Sequence, residues 1–228
     1  MDWAGLVVER LTKSTLEEYM KLHIWDPLGL KTMTFFPWKT QDQDHDQGLL
    51  EARVPQLSVR GPDSKLYPFK EPFITTGATG CFGGSGGYSS LGEYRVFLLS
   101  LLRNDGKLLR PASVDDLFKP QLTAEQAQAF TAALLGPMGT FFIGEFLAEE
   151  YEHDWAFGGV VFVEGYKDGR RRAETLSWGG VANTFWMMDR EAGLTLMFGT
   201  QVIPPGDGKV KEVITVVEKE VYRMAGAA

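Results

Sequence analysis

The sequence predicts an α+β fold, in which a C-terminal helix packs on an antiparallel sheet and a mainly helical region completes the chain. Short apolar runs separated by turn residues fill positions 156–202, and Asp168-Gly169 is typical of a hairpin turn. An amphipathic pattern follows from Val210 to Met224. We therefore expect a helical and loop-rich part at 1–150 and a sheet with its closing helix at 151–228, together one incomplete domain.

Two helices are expected at the start of the chain. Apolar residues recur at helical spacing in the first, at Trp3, Leu6, Val7 and Leu11. Ser14 and Glu17 are spaced as a capping box at the start of the second, which Pro27 and Gly29 should end.

Residues 37–75 show little periodicity, and we expect a long surface loop there. The acidic run Asp42–Asp46 is similar to the start of a calcium loop, but Gly48 lies outside the sixth position and Arg53 replaces the bidentate glutamate. A solvated loop without a metal is therefore the favoured interpretation. Tyr67 within this segment either lines a pocket or anchors the loop.

A glycine-rich segment, 75–90, contains Gly83-Gly-Ser-Gly-Gly87, which matches the pattern of a nucleophile elbow around Ser85. An elbow needs a buried strand before the serine and a helix directly after it, and the flanking residues predict neither. No Gly-Lys-Ser/Thr follows, so a phosphate loop is disfavoured. Ser90 and Glu93 are instead spaced to cap the helix that follows.

Four strands are expected, at 156–165, 172–178, 183–188 and 194–202. His153 next to Asp154 admits a charge-relay interpretation. Residues 138–155 give no clear secondary-structure pattern, but neighbours in sequence point to different faces and no nucleophile is close, so a charge relay is disfavoured.

Composition excludes several classes of partner. The chain has 228 residues and a formal charge of −7, which disfavours nucleic acid and anionic membranes as partners. A small, neutral substrate fits better. A single cysteine, Cys81, and an N-terminus without a basic and apolar leader predict a cytoplasmic protein, and nothing in the sequence indicates a cofactor.

The most informative stretch is Leu176–Met188, in which two adjacent glycines interrupt an aromatic, strand-forming run. Glycine weakens a strand unless another backbone or a ligand must approach closely. We therefore expect a strand edge that meets a ligand at Gly179 and Gly180, with Trp178 as the wall of the approach.

Several blocks in order resemble the C-terminal part of the class C β-lactamase-like serine hydrolases, most closely the fungal lovastatin-type polyketide acyltransferases. These blocks lie at 2–10, 14–19, 25–29, 34–35, 86–94, 108–114 and 177–180, with Asp189, Gly193 and Thr200-Gln201 after them. Each block alone is weakly specific, whereas their order makes the resemblance fairly strong.

In this family an acyl-enzyme forms on the serine of a Ser-x-x-Lys helix, and the lysine and a tyrosine move protons. The resemblance implies that Trp178, Gly179 and Gly180 match the Trp-Gly-Gly motif facing that serine. The backbone N–H of Val181 would be half of an oxyanion hole. Tyr67 and Gly158 are the further candidates for lining the acceptor pocket. With Trp178 where β-lactamases have lysine, the carboxylate anchor for penicillins is absent.

The chain departs from the family pattern at the catalytic groups. No serine is followed three residues later by lysine, and no Tyr-x-Asn occurs. We therefore expect a truncated acyltransferase that lacks its nucleophile half and whose missing N-terminal half is a potential partner. Its small-molecule partners would be a thioester or ester acyl donor and a hydroxylated, polyketide-like acceptor.

Two alternatives remain open at this stage. A β-lactamase-like esterase would differ only in passing the acyl group to water. A non-catalytic remnant or binding module would use the N-terminal helix and an unpaired sheet edge as its adhesive surface.

Overall fold

The computed structural model describes residues 1–38, 54–71, 75–142, 144, 146, 147 and 150–226. The acidic run at 42–46 lies outside the described residues. Two compact units emerge, one formed by 1–57 and 68–97 and the other by 58–67 and 98–228. These units divide the chain at different points from the 150/151 boundary expected from sequence.

The first unit begins with helix α1 (Asp2–Thr12) and helix α2 (Leu16–Met20), and α2 continues through a π-helical turn (Lys21–Trp25) into α3 (Asp26–Leu28). The capping box lies one residue later than expected, because Thr15 accepts from the backbone of Glu18 and Glu18 caps the Thr15 N–H in return. Glu17 instead accepts from the hydroxyl of Thr34.

The apolar core of the first unit consists of Leu16, Trp25, Leu30, Phe35 and Phe36. The predicted apolar face of α1 does not contribute to it. Trp3 is 82% exposed, and Leu6, Val7 and Leu11 are also exposed. Helix α1 therefore forms at the expected place, while its apolar stripe remains uncovered by the described residues.

Three further helices and a 3-10 turn precede the main sheet. They are α4 (Leu91–Arg103), α5 (Pro111–Phe118), α6 (Ala124–Leu135) and the turn Pro137–Phe141. The Ser90 hydroxyl accepts from the Glu93 N–H, as expected of a cap. The Glu93 carboxylate binds the backbone N–H groups of Lys31 and Thr32 instead of completing a box.

Five antiparallel strands form the main sheet in the order β3-β4-β5-β6-β7. Their bounds are β3 His153–Ala156, β4 Gly159–Phe162, β5 Thr175–Gly179, β6 Phe185–Asp189 and β7 Leu194–Phe198. The single strand expected at 156–165 was wrong. A turn at Phe157-Gly158 divides that region between β3 and β4, which pair through Ala156 and Gly159.

A second sheet in the order β2-β1-β8 was not expected from the sequence. It consists of β1 (Ser58–Arg60), β2 (Leu66–Pro68) and β8 (Val202–Ile203), and β1 pairs with β8 in parallel. Arg60 reinforces this pairing through a bidentate contact with Asp207, at 2.6 and 3.0 Å.

The closing helix α7 (Gly208–Met224) packs Val210, Ile214 and Tyr222 against Phe185 and Met187 of β6, which confirms the predicted α+β class and the role of this helix. Asp207 caps its first turn by accepting from the Val210 N–H.

A fully buried ion pair joins the same helix to the loop before β5. The Arg171 guanidinium donates to both carboxylate oxygens of Glu218, at 2.6 and 2.8 Å.

Candidate functional site

The predicted site strand, β5, is the central strand of the sheet rather than an edge strand. An edge nevertheless exists at its end, because the pairing with β4 stops at Val160–Ser177 while the pairing with β6 continues to Gly179–Phe185. The Gly180 N–H donates to Thr184 O on the β6 side, at 3.0 Å. Since successive strand amides point in opposite directions, the Gly179 N–H faces the side that β4 leaves open.

Trp178 belongs to a closed circuit of four aromatic rings. Its indole lies 4.8 Å from that of Trp155 and 5.5 Å from the ring of Phe142, measured between centroids. Phe130 completes the circuit, at 5.9 Å from Trp155 and 5.7 Å from Phe142. All four contacts are edge-to-face, an arrangement that contributes about 0.5–1.5 kcal/mol per pair beyond burial. The sequence pointed to Trp178 alone, because its three partners come from other elements.

Two glycines near β5, Gly180 and Gly158, are required by close packing, and the sequence alone does not indicate this. A Cβ on Gly180 would lie 2.6 Å from the Thr184 hydroxyl oxygen, inside the turn that joins β5 to β6. A Cβ on Gly158 would lie 2.5 Å from a methyl carbon of Leu176 and 3.0 Å from Leu117 O. These close approaches explain both glycines without a ligand, so the assignment of Gly158 to an acceptor pocket stays a prediction.

The turn after the two glycines is anchored by Asn183, a buried residue with a φ of 55°. Its amide nitrogen donates to Val202 O and Pro204 O, at 2.7 and 2.8 Å. Its amide oxygen accepts from the N–H groups of Gly206 and Asp207, at 2.8 and 3.2 Å. All four hydrogen-bonding positions of the side-chain amide are therefore used, and they fix the turn that carries Val181.

Val181 occupies this turn with 44% of its surface exposed. Among the described residues no acceptor is recorded for its N–H. A backbone N–H without an acceptor among the described residues is compatible with the predicted oxyanion role, which stays a prediction.

Tyr67 is anchored within its own hairpin in the second unit. Its hydroxyl donates to Asp63 at 2.8 Å, and this bond raises the pKa of Tyr67. A Cβ on Gly61 would lie 2.7 Å from the tyrosine ring. No contact described here joins Tyr67 to Trp178, so a place in the acceptor pocket also stays a prediction.

His153 and Asp154 do not form a catalytic pair. The His153 ring is fully buried between Phe146 and Phe162, and burial lowers its pKa to about 4. Asp154 accepts instead from the backbone N–H groups of Gln121, Leu122 and Trp155.

Ser85 lies in a turn between Gly84 and Gly86, without the strand and helix that an elbow requires. Its backbone N–H donates to Phe82 O.

An apolar cavity of about 470 Å³ lies in the first unit. It is lined by residues of α1 and of the segments packed on it, including Gly5, Val8, Leu16 and Tyr94. Burial raises the pKa of Tyr94 to about 12. None of the predicted site residues lines this cavity, so it does not contribute to the site at the end of β5.

The described part of the chain shows neither a metal-binding cluster nor a membrane-spanning helix. It contains no cluster of three or more His, Cys, Asp or Glu side chains that would hold a metal ion. Nor is any of its helices both long and apolar enough to span a bilayer.

Comparison with known proteins gives one family. The sequence profile of the Beta-lactamase family matches residues 1–214. The chain is 34% identical over 235 residues to lovastatin esterase of Penicillium rubens, covering 100% of this chain and 55% of that protein. It is 31% identical over 224 residues to monacolin J acid methylbutanoyltransferase of Aspergillus terreus, with coverages of 97% and 52%.

Solved structures agree with the sequence comparison. Unliganded simvastatin synthase from Aspergillus terreus matches with a TM-score of 0.87 at 29% identity, covering 98% of this chain and 54% of that one. EstCE1, a hydrolase with promiscuous acyltransferase activity, shares the fold with a TM-score of 0.64 at 17% identity. The chain thus spans about half the length of the curated relatives it matches.

Proposed function

The chain belongs to the Beta-lactamase family, and from this premise we propose that it supplies the substrate-binding wall of a serine acyltransferase. That enzyme transfers an acyl group from a thioester or ester to a hydroxyl of a polyketide-like secondary metabolite. Relatives with this type of name, such as the monacolin J acid methylbutanoyltransferase, support the substrate class. A cytoplasmic location is part of the proposal.

The observation that carries the proposal is the juxtaposition at the end of β5. Trp178 is 38% exposed, and the N–H of the next residue, Gly179, faces the side of the strand that β4 leaves open. A tetrahedral acyl-transfer intermediate needs N–H donors for its oxyanion and an apolar wall for its acyl or acceptor group. Val181 N–H would supply one donor, and Tyr67 and Gly158 would contribute to the acceptor side.

The nucleophile and its base must come from a polypeptide with a Ser-x-x-Lys sequence, since this chain has none. We propose that this polypeptide corresponds to the part of the relatives that the chain does not cover. A chimera provides the test: the uncovered N-terminal part of Penicillium rubens lovastatin esterase is joined to this chain at the aligned position.

The chimera and the chain alone are incubated with butyryl-N-acetylcysteamine, and the mass of each serine-containing peptide is measured. We expect a butyryl adduct on the Ser-x-x-Lys serine of the chimera and none on the chain alone. An adduct on a serine of the chain alone would place the nucleophile within these residues. A folded chimera without an adduct would refute the proposal.

Esterase activity is the second catalytic candidate, and the resemblance to lovastatin esterase favours it. The two activities differ in the acceptor, so the ratio of butyrate to butyryl ester formed by the chimera in the presence of an alcohol separates them.

The third candidate is not an enzyme but a binding module that holds a ligand or a partner chain. The exposed apolar face of α1 favours it. Partner binding through α1 without any adduct in the chimera would support this reading.

A further inference from the structure

We propose that Arg60 is a positioning residue for the backbone N–H of Val181. It acts from the second sheet, through Asp207 and Asn183. This inference rests on the proposed acyl transfer, in which the Val181 N–H is an oxyanion donor. No motif in the sequence marks Arg60, and its connection to the site follows only from the fold.

The turn that carries Val181 is held by residues 200–207. The Thr200 hydroxyl donates to Ala182 O, at 2.9 Å. The side-chain amide of Asn183 makes its four hydrogen bonds to the backbone of the same segment, at positions 202, 204, 206 and 207. The conformation of the turn therefore depends on the position of this segment.

Arg60 holds the end of this segment. Its Nε and Nη2 atoms donate to the two carboxylate oxygens of Asp207, at 2.6 and 3.0 Å, and this contact lowers the pKa of Asp207. The pairing of β1 with β8 joins strands of only three and two residues, and such short strands are weakly held by their own ladder. A bidentate, charge-assisted pair is stronger than a neutral hydrogen bond. Arg60 thus reinforces the position that the ladder alone would leave loosely fixed.

Asp207 connects Arg60 to the turn. Its carboxylate, held by Arg60, also accepts from the Val210 N–H at the start of α7, at 2.9 Å. Its backbone N–H donates to the amide oxygen of Asn183, at 3.2 Å. Asn183 lies two residues after Val181 in the same turn. A displaced Asp207 would therefore displace the Asn183 side chain and, with it, the oxyanion donor.

The third guanidinium nitrogen explains why an arginine serves here. Nη1 donates to Ser64 O, at 2.8 Å, in the turn between β1 and β2. The planar group therefore joins Asp207 to the hairpin that carries Arg60 itself. A lysine keeps the charge but cannot form this planar, bidentate contact. Arg60→Lys consequently tests the geometry and Arg60→Ala tests the whole side chain.

The expected consequence is a lower kcat without weaker substrate binding. Removal of an entire oxyanion donor lowers kcat by about 10²–10³-fold. Loss of Arg60 leaves the Val181 N–H in the chain but less well held, so we expect a part of this effect, about tenfold. The KM values should change by less than about twofold, because the contacts of Arg60 are with Asp207 and Ser64.

The structural step is tested on this chain labelled with 15N, by the heteronuclear Overhauser effect of each backbone amide in NMR. We expect Arg60→Ala and Arg60→Lys to lower this effect at Val181 and Ala182, because the turn becomes more mobile. The amides of α5 should keep their values in both variants, which verifies that each variant is folded. Unchanged values at Val181 and Ala182 in both variants overturn the inference.

Arg190→Ala is the matched control. Arg190 forms an ion pair with Asp115 at 2.8 Å, and its side chain is 33% exposed, compared with 24% for Arg60. It directly follows β6, whereas the Val181 turn precedes that strand. We expect Arg190→Ala to leave the Val181 amide unchanged, and an equal effect of Arg190→Ala and Arg60→Ala overturns the inference.

The catalytic step is tested in the chimera, with butyryl-N-acetylcysteamine as donor and 1-butanol as acceptor. The kcat is expressed per acyl-serine formed by the donor alone, so that an unfolded fraction does not lower it. We expect it to fall about tenfold in Arg60→Ala, by less in Arg60→Lys and not at all in Arg190→Ala. If Arg60→Ala does not fold, Arg60→Lys decides. A rise in KM with an unchanged kcat refutes the positioning role.

The two measurements separate this inference from the proposed function. An active chimera whose kcat does not depend on Arg60 refutes the role of Arg60 and leaves the function intact. A chimera that forms no acyl-serine refutes the proposed function. The positioning of the Val181 N–H by Arg60 then stands or falls with the Overhauser effect measured on this chain.

Discussion

Replacement of Asn183 by alanine is expected to destabilise the chain by roughly 5 kcal/mol. The change removes four hydrogen bonds, each with a net value of about 1 kcal/mol, and leaves Val202 O, Pro204 O and the N–H groups of Gly206 and Asp207 without this partner. It also places a Cβ without a polar group at a φ of 55°, which costs about 1 kcal/mol more than asparagine or glycine.

Two variants separate these contributions in urea denaturation followed by far-UV circular dichroism. Asn183→Gly keeps the left-handed backbone and should be about 1 kcal/mol more stable than Asn183→Ala. Asn104→Ala is the matched control, since Asn104 has a φ of 49° but only long side-chain contacts, at 3.3 and 3.5 Å. If Asn183→Ala destabilises no more than Asn104→Ala, the four hydrogen bonds of Asn183 do not contribute to the free energy of unfolding. That result would refute the reasoning.

Three further predictions concern the sheet and its closing helix. His153 is neutral when folded and gains a proton when unfolded below its ordinary pKa of 6.5, so it costs stability as pH falls from 6.5 towards 4, by about 1.4 kcal/mol per pH unit. The stability advantage of wild type over His153→Leu should therefore shrink in that window. Tyr222→Phe removes the 2.6 Å bond to the buried Asp189 carboxylate and should cost roughly 1.5–3 kcal/mol in urea denaturation. Gly158→Ala places a Cβ 2.5 Å from Leu176 and should cost about 1–3 kcal/mol by the same assay.

Each of these three has a result that contradicts it. A constant difference between wild type and His153→Leu from pH 7 to 4.5 would mean that the imidazole has the same pKa in the folded and the unfolded chain. A neutral Tyr222→Phe would mean that Asp189 is satisfied without the hydroxyl. Gly92→Ala, which meets nothing within 4 Å in α4, is the control for Gly158→Ala, and equal stability of the two would contradict the close approach.

The elements with strong local signals were predictable from the sequence. The closing helix follows from its apolar face, and α1 follows from its apolar spacing. The strand that ends at Trp178-Gly179 was also predictable, because aromatic and β-branched residues precede an unusual pair of glycines. In each case the determining residues lie within about one helical turn or one strand of each other.

Elements that depend on distant residues were not predictable in this way. The β1–β8 pair joins Ser58 to Val202, and strands of three and two residues carry too little pattern to indicate a partner. The capping box was displaced because Ser14 and Thr15 are both acceptable caps, with Glu17 and Glu18 at matching distances. Tertiary contact decided between them, since Glu17 is used by Thr34 and Phe35.

In the candidate site, too, residues close in sequence were predictable, whereas contacts between separate elements were not. The sequence pointed to Trp178 and its glycines as a ligand-binding strand edge, and this role stays a prediction. The fold adds a separate reason for Gly180, because a Cβ there would lie 2.6 Å from the Thr184 hydroxyl oxygen. The ring contact between Trp155 and Trp178 was not predictable, since a tryptophan on a strand is ordinary until the fold brings its ring to another one.

The groups that this chain contains determine which kinetic constants of the proposed enzyme it would affect. Under this proposal the described groups near Trp178 would contact apolar substrate surface and donate N–H groups, and proton transfer would be left to the nucleophile half. Contacts that hold substrate and transition state equally lower KM and leave kcat unchanged, whereas the Val181 N–H would act on charge that develops only in the transition state. Loss of the Trp178 ring should therefore raise the KM for the acceptor in the chimera. Loss of the Val181 turn geometry should lower kcat, because the oxyanion donor would no longer be held in place.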